Sequence, residues 1–126
     1  MKIHIAITRE PLESRGVSCA DGSSGAVLEF TGIVRGEEEG APIAALDYEA
    51  YEAMARSEME RIVRELSAQY PCQKVEVSHR IGRVPAGEAS ILVRVEAKHR
   101  AEAFGLLTEF MNRLKRDVPI WKKVSP

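Results

Sequence analysis

Two stretches of helical periodicity, each closed off by a proline, constrain what the rest of the chain can be. Between Met54 and Tyr70, Met59, Ile62, Val63 and Leu66 recur at helical spacing, while Arg56, Glu60, Arg61, Arg64 and Glu65 fill other positions. One apolar stripe on an otherwise charged rod predicts an amphipathic helix packed on a sheet. Pro71 stops it, since proline lacks the amide donor and disfavours helical geometry in the residue before it. The second stretch runs from about His99 or Arg100 to Asp117. Its stripe is Phe104, Leu107, Met111, Leu114 and Val118, with Pro119 beyond.

The segments around these helices alternate or turn. Met1 to Thr8 places Ile3, Ile5 and Ile7 on one face, the period of a half-buried strand. Residues 9–24 are rich in breakers and read as a loop with at most one helical turn. "GAVLEFTGIVR" and "IAALDYEAY" are strands predicted to form an antiparallel hairpin across the long connection "RGEEEGAP". "QKVEVSHRIG" and "ASILVRVEAK" are two more, joined by "RVPAGE", where Pro85 and Gly87 form a turn. "IWKK" is a short strand or extended arm. The order β, β, β, α, β, β, α, β predicts one domain over residues 1–126, of class α+β. Its two main helices lie on one side of a mostly antiparallel sheet.

Composition narrows the function. The chain is 44% hydrophobic and 29% charged, and its formal net charge of -1 argues against bulk nucleic-acid binding. No stretch is apolar enough for a membrane span. The start lacks the apolar block of a signal peptide, so a cytoplasmic location is the expectation. Charge is nonetheless uneven: Glu37, Glu38 and Glu39 form an acidic loop, while Lys98, His99, Arg100, Arg113, Lys115, Arg116, Lys122 and Lys123 load the last third with base. A small anionic ligand fits that distribution better than a polyanion. Cys19 and Cys72 are too isolated for a disulfide framework or a metal clip, and three scattered histidines give little support for zinc. No nucleotide-loop, dinucleotide, zinc-protease or serine-hydrolase motif is present. No metal or cofactor is expected.

Several residues have the character of a site. His99 and Arg100 open the second helix, where free amides and the macrodipole favour an anion; pairing of the arginine with Glu102 is the plainer alternative. Lys115 falls within roughly 70° of the centre of the Phe104–Val118 stripe. It should lie at the edge of the apolar face, either as a partly desolvated proton shuttle or nucleophile, or as a snorkelling lysine near a helix end. Ile120 and Trp121 can anchor the arm, and neighbours in an extended segment diverge, so only one of Lys122 and Lys123 can share a pocket with Lys115. Arg35 follows a strand and either clamps an anion or balances the acidic loop. His79 and Arg80 point to opposite faces of their strand, and one of them is expected to be structural.

"GAVLEFTGIVRG", "LDYEAYEAMA", "VSHRIGRVPAGEASILVRVEAKHRAEAF" and "LKRDVPIWKK" together resemble the catalytic, large subunit of molybdopterin synthase over roughly residues 25 to 123. The resemblance implies an α/β-hammerhead fold and a homodimer within a 2+2 heterotetramer. The partner it implies is a ubiquitin-like sulfur-carrier small subunit whose C-terminal Gly-Gly bears a thiocarboxylate. Two sulfurs would pass to cyclic pyranopterin monophosphate to make the molybdopterin dithiolene. By position, Lys115 would act beside the thiocarboxylate with Lys122 joining it, and Arg35, His99 and Arg100 would bind the substrate's phosphate and pterin. The resemblance also leads one to expect a helix within residues 9–24 and further residues after the lysine pair. The competing reading is a non-catalytic α+β module that binds a small anion or a protein partner. A Schiff-base enzyme using Lys115 is a weaker third.

Overall fold

The computed structural model describes residues 1–14 and 22–125. In chain order the elements are β1 (Lys2–Thr8), β2 (Ala26–Ile33), β3 (Glu37–Glu38), β4 (Ala41–Pro42), β5 (Ala45–Ala50), α1 (Glu52–Ser67), β6 (Lys74–Arg80), β7 (Gly82–Pro85), β8 (Ala89–Ala97), α2 (Arg100–Asp117) and β9 (Ile120–Val124). Four strands form the main sheet in the order β1-β6-β8-β2. β1 runs parallel to β6, and the other two pairings are antiparallel. Val75, Val77, Val93 and Val95 project from its centre and are fully buried under Ala55, Met59, Ile62 and Val63 of α1 and Ala103, Leu106 and Phe110 of α2. The class is α+β, as the element order predicts.

β8 is buried on both faces. On the side away from the helices, Arg94 Nε donates to Glu96 Oε2 at 3.2 Å, and both residues are buried. Arg94 Nη1 also lies 3.8 Å from Glu29 Oε2. A charge this deep is tolerable only with its partners in place, so losing one member would cost about 3–5 kcal/mol.

Three departures from the sequence-based expectation have physical causes. First, β2 and β5 do not form a hairpin. β2 pairs with β8, while β5 pairs with β7 and β9 in a separate three-stranded sheet. The connection between them carries its own β3–β4 pair, turned at Glu39 and Gly40, both at positive φ. Second, "RVPAGE" is not all turn, because Arg83 to Pro85 belong to β7. Gly82, at φ 85°, lets the chain leave β6 and swing into the smaller sheet. Third, the buried face of α2 is Ala103, Leu106, Phe110 and Leu114, while Phe104 is 55% exposed. The small Ala103 lets the helix sit close, which an apolar-stripe count weighted toward large residues does not register.

α1 begins two residues earlier than Met54 and ends at Ser67, with Ala68 as its C-cap and the Tyr70 amide donating to Leu66 O at 2.8 Å. Residues 9–14 and 22–25 lie in no helix or strand. Cys19, and residues 15–21 of the span where the resemblance implies a helix, lie outside the described residues. Among the described residues, no helix is long and apolar enough to cross a membrane.

At Gly105, α2 passes close beneath the chain that follows α1, and an added Cβ would overlap the ring of Tyr70. Gly→Ala inside a helix ordinarily stabilises by about 1 kcal/mol. Here the overlap reverses the sign, and Gly105→Ala should destabilise by about 1–3 kcal/mol in urea unfolding. In a Tyr70→Ala background the same change should become stabilising; loss of stability in both backgrounds would rule out the ring as the cause.

Candidate functional site

The site is assembled where α2 ends. Val118 caps the helix with an extended backbone, its amide bonded to Leu114 O at 3.2 Å. After Pro119 the chain returns as β9 along β5, pairing Glu49 with Trp121, Tyr48 with Lys122 and Asp47 with Lys123. Lys115 and Lys122 thereby line one groove of about 440 Å³, although they belong to different elements. Phe30 and Ile33 of β2, Met111 of α2 and Trp121 of β9 supply much of its apolar wall. Phe30, Ile33 and Trp121 are exposed in the single chain, so the groove presents a wet apolar rim around two amines. Such a combination is characteristic of a binding surface.

Lys123 lies outside that groove, 3.6 Å from Glu49. Lys122 is tethered 3.6 Å from Glu38 of the acidic loop. Trp121 packs edge-on against Tyr51, with ring centroids 5.2 Å apart, which steadies the arm. Lys115 makes no ion pair with any described residue, and it is exposed rather than covered along its stem. The corrected helix face explains this: relative to Ala103–Leu106–Phe110–Leu114, Lys115 sits roughly 135° from the buried centre.

His99 and Arg100 do not join this groove. His99 is the N-cap of α2, with no side-chain capping bond, and its Nδ1 is 3.7 Å from Glu102 Oε1. Arg100 therefore does not hold Glu102, and it pairs with no other described carboxylate. With Lys98 and Gly25 these two line a separate, open depression at the start of the helix. From Arg100 to Lys115 the axial distance is roughly 22 Å at 1.5 Å per residue. Arg35 is exposed just beyond β2 and lines neither depression.

His79 also lines the Lys115–Lys122 groove. It is 5% exposed and meets the Tyr48 ring edge-on at 5.2 Å. Burial lowers its pKa, against a smaller opposing effect from the Arg80 carbonyl, which its Nδ1 approaches to 2.8 Å. Arg80, its sequence neighbour, is buried and ion-paired with Glu88 at 2.7 Å. Thus Arg80 is tied into the scaffold, and His79 faces the groove. The alternation Val75, Val77, His79 was the available signal, since it places the imidazole on the helix side of the sheet.

One protein-family model, described as MoaE protein, matches residues 7–117. The chain is 44% identical over 103 residues to a molybdopterin synthase catalytic subunit from Oryza sativa subsp. indica, a match covering 82% of this chain and 53% of that protein. It therefore spans about half the length of this relative. Its fold superposes on the crystal structure of molybdopterin synthase from Staphylococcus aureus with a TM-score of 0.86 and 32% identity, covering 97% of this chain and 89% of that one. A second solved structure, the complex of subunits 1 and 2 of molybdopterin-converting factor from Helicobacter pylori 26695, gives 0.76 and 27%, covering 97% and 83%.

Cys72 stands apart from the groove. Its Sγ is 3.4 Å from Tyr70 O and 3.8 Å from Glu102 O, and burial, with the Glu102 charge adding, pushes the thiol up to about 11. Little thiolate exists at pH 8. In a Cys19→Ser variant, alkylation of Cys72 by iodoacetamide should run roughly a hundredfold slower than for an unperturbed thiol, and recover in denaturant. Mass spectrometry reads this directly; labelling at the free-thiol rate would contradict the packing described.

Proposed function

The chain belongs to the MoaE protein family, and on that premise we propose that it is the catalytic subunit of a cytoplasmic molybdopterin synthase. Its partner is a small ubiquitin-like carrier ending in a Gly-Gly thiocarboxylate, and its substrate is cyclic pyranopterin monophosphate. The activity is sulfur transfer, twice per substrate, to form the dithiolene. The observation that carries this reading is the convergence of Lys115 and Lys122 on one apolar groove open to a partner. The Helicobacter pylori two-subunit complex supports a carrier as that partner.

The groove suits the chemistry. A glycine tail has no side chains to obstruct it and can lie extended against Phe30, Ile33 and Trp121. Two amines near its end favour a thiocarboxylate and an anionic substrate over neutral competitors. Each transfer replaces a carbon–oxygen bond of the substrate, one of them to its cyclic phosphate, with a carbon–sulfur bond, and breaks the bond from sulfur to the glycyl carbonyl. Water supplies the oxygen that leaves on the carrier as carboxylate. Lys115 handles protons and charge at that acyl carbon, and Lys122 adds a second positive charge. Because the sulfur arrives on the carrier, the enzyme needs no thiol of its own there.

Arg35, His99 and Arg100 are assigned to the phosphate and pterin. The helix length between Arg100 and Lys115 exceeds what one small pterin phosphate spans. His99 and Arg100 at one end, and Lys115 and Lys122 at the other, therefore serve one substrate only if they come from different copies. A homodimer within a 2+2 assembly with the carrier meets that condition.

Lys115→Ala should lower single-turnover dithiolene formation by about a hundredfold or more while carrier binding persists. Lys123→Ala should stay within about twofold, since its exposed pair contributes little. Mass spectrometry of the pterin product reads both; normal turnover by Lys115→Ala would remove it from the mechanism. Inactive Arg100→Ala and Lys115→Ala chains, mixed by co-refolding, should regain roughly a quarter of wild-type activity if sites are shared between copies. No recovery in mixed dimers would place both groups in one chain's site.

A further inference from the structure

We propose that His79 is a further substrate-contacting residue, its Nε2 accepting a hydrogen bond from a backbone amide of the glycine tail in the groove. This rests on the reading above, and it assigns a residue that neither lysine makes necessary.

The argument begins with the tautomer. Nδ1 lies 2.8 Å from the Arg80 carbonyl oxygen, which can only accept, so Nδ1 carries the hydrogen. In a neutral imidazole the other nitrogen is then a lone-pair acceptor. Burial favours the neutral form. Nε2 makes no hydrogen bond with any described residue, while the ring that carries it lines the groove. The edge-on contact with Tyr48 and the Arg80 bond together hold the ring plane. A rigid, neutral acceptor has been placed in a cavity whose charged groups, Lys115 and Lys122, are donors.

That polarity selects what it touches. A thiocarboxylate or phosphate presents oxygen or sulfur acceptors and is repelled by a lone pair, so the anionic end goes to the lysines. An extended peptide offers N–H donors, and at glycine no side chain stands between the amide and the ring. One groove thus reads two features of the tail: charge at its end and an amide upstream. A desolvated hydrogen bond of this kind contributes about tenfold in affinity.

The test uses a recombinant ubiquitin-like carrier ending in a plain Gly-Gly carboxylate, which binds without reacting. Asparagine reproduces the Nδ1 donor to Arg80 O but offers nothing at Nε2, whereas glutamine can place its carbonyl oxygen there. Calorimetry should show His79→Asn weakening carrier binding about tenfold and His79→Gln within about threefold of wild type. A carrier lacking its two terminal glycines should bind wild type and His79→Asn equally. In the wild-type protein, the Nε2 nitrogen-15 resonance of His79 should move on adding the full carrier and stay still with the truncated one. The resonance carries the test if a variant misfolds. Unchanged affinity in His79→Asn, an equal loss with the truncated carrier, or a silent resonance overturns the proposal. Failure of wild type to bind any carrier refutes the functional reading itself, and the proposal with it.

Discussion

The return of β9 along β5 is the contact on which the site depends. α2 ends one residue before Val118, and Pro119 turns the chain. The Tyr51 amide then holds Pro119 O at 3.2 Å, joining the start of α1 to the end of α2. From there the antiparallel ladder from Ala50–Ile120 to Leu46–Val124 sets Lys122 beside the last turn of α2. Without this ladder the two lysines would still be neighbours in sequence terms, seven residues apart, but would share no wall. Strand alternation decides the rest, with Lys122 on the groove and Lys123 turned to Glu49.

Periodicity made the helices, the main strands and the α+β class legible, because each of those elements buries a regular face. What it could not show was pairing. Gly82 at positive φ moves the chain from one sheet to another within a single residue, and nothing in the hydrophobic pattern distinguishes that from a turn. The face of α2 was misjudged for a related reason: alanine is weakly apolar on any scale yet takes the closest seat. That error carried Lys115 to the wrong side of the boundary. The lysine–groove association was readable from resemblance, the choice of Lys122 over Lys123 from alternation and resemblance together. For His79 and Arg80 the sequence showed that the two side chains diverge, but not which of them is tied into the scaffold.

The charged residues divide by depth. Arg94 and Glu96 are buried on the back of the sheet and pair with one another, so they stiffen the scaffold. Arg80, also buried, pairs at the end of β6 with the exposed Glu88. Arg35, Arg100 and Lys115 are exposed and have no carboxylate among the described residues. A near-neutral chain can therefore present local positive charge, because most of its acids are engaged elsewhere. The distribution, rather than the net value, is what a small anion meets.

The ladders of this fold join distant segments: Lys2 to Lys74, Ala26 to Ala97 and Leu46 to Val124. Such topology closes slowly, since long loops must form before any contact rewards them. It also makes the ladders unequal. β6 and β8, at the centre of the main sheet, are buried under both helices, whereas β9 is an edge with nearly all its residues exposed. Opening of that edge requires little of the core to move. The strand that carries Lys122 is therefore held to the scaffold by a single ladder, on β5, and by few buried side chains.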